Sequence, residues 1–161
     1  MRLIESKVEL LPQSAGLEGV YKQIEIAGRT CYKSEDKITP TSAKEFIDRM
    51  IKNGHTAMLE HGTVYLKVPA RLSPDEWWLL ELAHNKYTQT LWQNDFNYIT
   101  TNFRVLVEND WMEALKYVCE PTEHHAKRVS VRFTCDRGVS HELVRHRTFS
   151  FAQESSRQWR H

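Results

Sequence analysis

Lys127-Arg128-Val129-Ser130-Val131-Arg132-Phe133-Thr134-Cys135 alternates strictly along the chain. Val129, Val131, Phe133 and Cys135 fall on one face of an extended backbone, a period of two that a helix does not sort. The stretch predicts a strand. Upstream, Gly62-Thr63-Val64-Tyr65-Leu66-Lys67-Val68 is β-branched and aromatic and is stopped by Pro69, which predicts a second strand over 62–68. The residues between the two strands read as mostly helical. Ser73-Pro74-Asp75-Glu76 caps a long helix reaching about Leu91, with Pro74 in its first turn. Trp77, Trp78, Leu79, Leu82 and Leu91 supply its core. A short extended piece near 97–107 leads to a helix at about 110–119. On this reading the two strands belong to one sheet and the helices lie outside it.

Residues 2–10 alternate well enough for a first strand, with Leu3, Val8 and Leu10 apolar. Over 16–28, Leu17, Val20, Tyr21, Ile24 and Ala27 share one helical face. Thr41 or Ser42 caps a further helix whose buried stripe is Phe46, Ile47, Met50 and Ile51, and Gly54 is placed to end it. A short helix is expected over 137–146 and a polar loop over 147–157. Interleaved strands and helices set the class as α/β or α+β.

The 161 residues suggest one domain with a real core. Apolar residues at 40% and charged residues at 27% are ordinary for a globular protein, and five Trp argue against disorder. No apolar run approaches the roughly 18 residues that span a bilayer. Glu5 and Glu9 interrupt the N-terminus where a signal peptide needs an apolar stretch, so a cytoplasmic setting is expected. Cys31, Cys119 and Cys135 are odd in number and widely spaced, and reduced thiols are expected. Net charge is +1, yet from Lys127 onward eight Lys or Arg stand against three Asp or Glu. A basic end on an otherwise acidic chain suggests an anionic partner, either a nucleotide or a nucleic acid.

The basic end holds the chemistry. Arg145-His146-Arg147-Thr148-Phe149-Ser150-Phe151-Ala152-Gln153-Glu154-Ser155-Ser156-Arg157 places a histidine between two arginines, then four hydroxyls and a third arginine. An arginine fork matches phosphate oxygens bidentately, and hydroxyls and loop N–H groups add shorter donors. The plainer reading is a solvated, salt-bridged surface. On chemistry alone both stay open.

The pattern resembles the RHRxxSxNxxSxR signature of flavin-dependent thymidylate synthases. Arg145, His146, Arg147, Ser150, Ser155 and Arg157 match six of its seven fixed positions. Ala152 stands where Asn is usual, and Gln158 where an aromatic often follows. Gly54-His55-Thr56-Ala57-Met58-Leu59-Glu60-His61 is similar to the family's GHxxxxEH segment. Ala27-Gly28-Arg29-Thr30-Cys31-Tyr32 resembles an ARxS segment, with Cys31 at the Ser position. By itself, His55 reads equally as a helix C-terminal histidine satisfied by carbonyls.

The resemblance implies a central, mainly antiparallel sheet with flanking helices. It implies reductive methylation of dUMP to dTMP, with methylenetetrahydrofolate as carbon donor and NADPH-reduced FAD. No cysteine nucleophile is involved. Cys31, His55, Glu60, Arg145, His146, Arg147 and Gln153 would face FAD. Glu142 (where Gln is common), Leu143, Val144, Arg145, Gln153, Glu154, Ser155, Ser156 and Arg157 would line the dUMP pocket, with Ser155 and Arg157 on the phosphate. Ser155 reads as a phosphate ligand and not as a nucleophile, because no base stands beside it in the sequence. A cytoplasmic homotetramer with shared active sites is implied, with no membrane.

Two departures concern length. Compact members keep the EH pair close to RHR, whereas His61 and Arg145 are 84 positions apart. Residues 69–127 are therefore expected to be a helical insertion packing outside the active site. The chain also stops four residues after Arg157, short of segments that complete the family's site. An incomplete domain is expected, with little or no dTMP formation by this chain alone. Three other readings stay open: a subunit that only binds nucleotide or assembles; a nucleic-acid module using Phe149, Phe151 and Trp159 for stacking; and a metal set from His124, His125, His141 and His146.

Overall fold

The computed structural model describes residues 5–146 and 148–155. In chain order the main elements are β1 (Lys7–Leu11), α1 (Gly16–Cys31), α2 (Ser42–Lys52), β2 (Thr63–Pro69), α3 (Trp78–His84), β3 (Gln89–Gln93), β4 (Phe96–Asn102), α4 (Phe103–Glu108), β5 (Ser130–Thr134) and α5 (Arg137–Leu143). Short 3-10 turns at Thr56–His61, Pro74–Glu76 and Met112–Tyr117 join them. The protein is an α/β mixture, and among the described residues every strand pairing is antiparallel.

One expectation fails here. The strands over 62–68 and 127–135 are not sheet neighbours. β2 pairs with β4, which pairs with β3, while β5 pairs with β1 in a separate two-stranded ribbon. The reason lies in residues 69–127, which are not the helical block expected of them. Ser73 and Glu76 do form a capping box, but α3 ends at His84, and Leu91 lies in β3. Asn94-Asp95 then makes a two-residue turn between Gln93 and Phe96, with Asn94 at φ +54. Asparagine tolerates the left-handed region at little cost. Two short alternating runs around that turn form a hairpin, and its second strand takes the central place beside β2. Trp77 and Leu91, read as core, are exposed, whereas Leu79 and Leu82 are buried.

The core forms where β2 and β4 meet the helices. Val64, Leu66 and Val68 on β2 bury against Ile99, Phe103, Leu106, Leu79 and Leu82, with Val20 and Ile24 from α1 and Ile47 from α2. In α2, Phe46, Ile47 and Met50 are buried as the spacing predicts, but Ile51 is about a third exposed. Ser42 Oγ binds Glu25 Oε2 at 3.0 Å and so ties α2 to α1, where Arg29 also holds Glu25. Gly28 permits this close approach: a Cβ there would lie 2.5 Å from the Phe46 ring. Gly54, at φ +68, ends the α2 turn. No helix among the described residues is long and apolar enough to cross a membrane.

Candidate functional site

The three segments singled out by the sequence meet. The loop 148–155 lies across the C-terminal end of α1 and the turn 55–61. Ser155 N–H donates to the Cys31 carbonyl at 3.1 Å. Ser150 Oγ donates to Glu60 Oε2 at 2.7 Å, across 90 positions of sequence. Glu154 pairs with Lys33, just past α1. Gln153 Nε2 donates to Ser140 Oγ on α5 at 2.9 Å.

The floor of the cluster is charged and cross-braced. Arg104, from α4, donates through Nη1 to Glu60 Oε1 at 2.5 Å and through Nε to Glu108 Oε1 at 2.7 Å. Thr56 Oγ1 donates to the same Glu108 oxygen at 2.6 Å. Glu108 is thereby held below the usual carboxylate range, chiefly by its Thr56 and Arg104 hydrogen bonds. α4, within residues 69–127, supplies Arg104 and Glu108 to this region.

His55 has its ring Nδ1 3.3 Å from Tyr32 Oη, so its partner is a neighbouring phenol and not a helix carbonyl. His61 is mostly buried, and desolvation lowers its pKa, partly offset by Glu60 and the Phe151 backbone. Its Nε2 has no partner among the described residues. Burial raises the Cys31 thiol above its ordinary value, as it does for Cys119. A protonated thiol is a poor nucleophile at neutral pH.

Other expected site residues stand apart from this cluster. Arg145 and Glu142 pair with each other at 3.1 Å, both well exposed. Leu143 is half-buried, and Val144 and His146 are exposed. Phe149 and Phe151 form an exposed edge-to-face pair with centroids 6.2 Å apart. Arg147, Ser156 and Arg157 lie outside the described residues.

The histidines weighed as a metal set do not gather. Among the described residues no group of three or more His, Cys, Asp or Glu is arranged to hold a metal. His125 is buried as a loop anchor: Nδ1 accepts from Thr122 N–H at 3.0 Å and Nε2 lies 3.0 Å from the Leu66 carbonyl. His124 packs against Tyr98. A cavity of about 70 Å³ lined by Gln13, Tyr65 and Cys119 shares no residue with the cluster.

Sequence reasoning missed Tyr32, Lys33, His61, Arg104 and Glu108. His61 carried a signal, being the second half of the EH pair. Arg104 carried none, because 44 positions separate it from Glu60.

The chain is 34% identical over 80 residues to the flavin-dependent thymidylate synthase of Corynebacterium glutamicum, covering 47% of this chain and 31% of that protein. It is 34% identical over 83 residues to that of Mycolicibacterium vanbaalenii (49% and 32%), and 40% over 70 residues to that of Corynebacterium aurimucosum (41% and 27%). The match thus spans about a third of the length of these curated relatives. No family model matches, and no solved structure matches.

Proposed function

We propose that this chain supplies the flavin- and nucleotide-facing part of a flavin-dependent thymidylate synthase. The reaction is reductive methylation of dUMP to dTMP, with methylenetetrahydrofolate as carbon donor and NADPH-reduced FAD. The observation that carries the reading is the meeting of three distant motif segments, at Cys31, at Glu60 and at Ser150–Ser155. The names of the curated relatives support it.

The donor set fits a flavin nucleotide. Arg145 and Gln153 present exposed donors, His55 a ring edge, and Phe149 and Phe151 apolar faces suited to a planar ligand. Cys31, His55, Glu60, Arg145, His146, Arg147 and Gln153 would hold FAD. Glu142 to Arg145 and Gln153 to Arg157 would line the dUMP pocket. Ser155 and Arg157 would take the phosphate, one by a hydroxyl and one by a guanidinium fork. Bound FAD supplies the redox chemistry, and the side chains contribute binding, orientation and electrostatics. Cys31 stays protonated and serves as a small wall residue. The same proposal includes a cytoplasmic homotetramer with shared sites, and an insertion over 69–127 within one domain.

Flavin titration followed by fluorescence tests the reading. FAD binds the parent chain, and Arg147→Ala weakens binding by about 1–3 kcal/mol, the scale of a charged hydrogen bond. Equal affinity in parent and variant removes Arg147 from the site, and no FAD binding by the parent removes the flavin role.

A further inference from the structure

We propose that Arg104 is a positioning residue for the loop 148–155, acting through Glu60. The inference rests on the reading of that loop as the nucleotide-facing element. Arg104 belongs to none of the three motif segments. It sits on α4, directly after the central strand β4, so the core fixes its Cα. Phe103 and Val105 on either side of it are buried, as is Leu106.

The geometry divides the labour between the two oxygens of one carboxylate. Oε1 of Glu60 takes the Arg104 Nη1 at 2.5 Å, and Oε2 takes the Ser150 hydroxyl at 2.7 Å. The guanidinium is itself fixed on its other side by Glu108, whose oxygen also accepts from Thr56. A planar fork anchored at two points leaves the carboxylate little rotational freedom. Glu60 therefore presents Oε2 in one direction, and Ser150 sets the start of the loop against it. At the other end of the loop Ser155 N–H reaches Cys31. Without Arg104, Glu60 is a half-exposed acid on a turn and turns toward water, and the Ser150 contact loses its direction.

Hydrogen exchange on the full chain tests this without any ligand. The reporter is the Ser155 amide, with the β4 amides as the core reference. Arg104→Gln and Ser150→Ala are each expected to speed Ser155 exchange about tenfold, the scale of one charged hydrogen bond. The double variant is expected to show the same tenfold, because both changes act through Glu60 and their effects do not add. The β4 amides stay as in the parent. Unchanged Ser155 exchange in Arg104→Gln overturns the proposal. So does a multiplied effect in the double variant, which means Arg104 reaches the loop by another route. Faster β4 exchange in Arg104→Gln makes it a residue of the fold and also overturns it. Failure of FAD or dUMP to bind would strike the proposed function while leaving this result intact.

Discussion

β2 and β5 carry the same kind of sequence and meet opposite fates. On β2, Val64, Leu66 and Val68 are at most 2% exposed. On the ribbon, Val8 and Leu10 of β1, Phe133 of β5 and Val129 just before it are 51–79% exposed. The ribbon is turned over. Its polar face, with Glu9 opposite Arg132, looks toward the end of α1 and the turn after it, where Arg132 binds Thr30 at 3.3 Å and Glu35 at 2.7 Å. Alternation tells which residues share a face; it does not tell which way that face points. Direction follows from what the neighbouring element offers. α1 and α4 offer apolar side chains to β2, whereas β5 meets the Thr30 hydroxyl near the end of α1 and the Glu35 carboxylate in the 3-10 turn that follows it.

The sharpest way to break the comparison is truncation of matched leucines. Leu66→Ala should cost about 3 kcal/mol, as a core cavity does, while Leu10→Ala on the ribbon should stay within about 0.5 kcal/mol. Urea unfolding of both variants checks it, and equal losses would mean that the ribbon face is packed in solution. Next in size is Arg132→Ala, expected to cost about 1 kcal/mol because its ion pair is partly exposed. Amides of β1 and β5 should exchange faster while those of β2 and β4 do not.

Much of this was legible in particular residues. Val20 and Ile24 on α1, the Phe46-Ile47-Met50 stripe of α2, and the Thr63–Pro69 strand follow from periodicity. β4 falls largely within the extended piece expected near 97–107, whereas β3 is hidden because Trp78, Leu79 and Leu82 carry a helical pattern up to it, ahead of the Asn94-Asp95 turn. The three segments that meet were legible as local motifs, each within a short window. Arg104 and Glu108 were not, since only the pairing of β4 with β2 carries α4 to Glu60.

The smallest effect concerns His61, which lies between the core and the loop. Burial lowers its pKa below the ordinary 6.5. The unfolded chain then binds the proton more readily, so the stability His61 contributes is complete above about pH 6.5 and is lost as pH falls through the folded value. Between about pH 7 and pH 5 the parent should lose stability more steeply than His61→Asn, the other histidines titrating in both. Parallel slopes from thermal unfolding would mean that His61 is not desolvated.

The central claim is that the loop ending near Arg157 binds a nucleotide phosphate. Calorimetry with dUMP and deoxyuridine, which differ only in that phosphate, tests it most directly. The account predicts that dUMP binds at least about tenfold tighter, the scale of one charged hydrogen bond, and that Arg157→Lys loses much of the preference because a point charge lacks the fork. Equal binding of dUMP and deoxyuridine by the parent chain would contradict it.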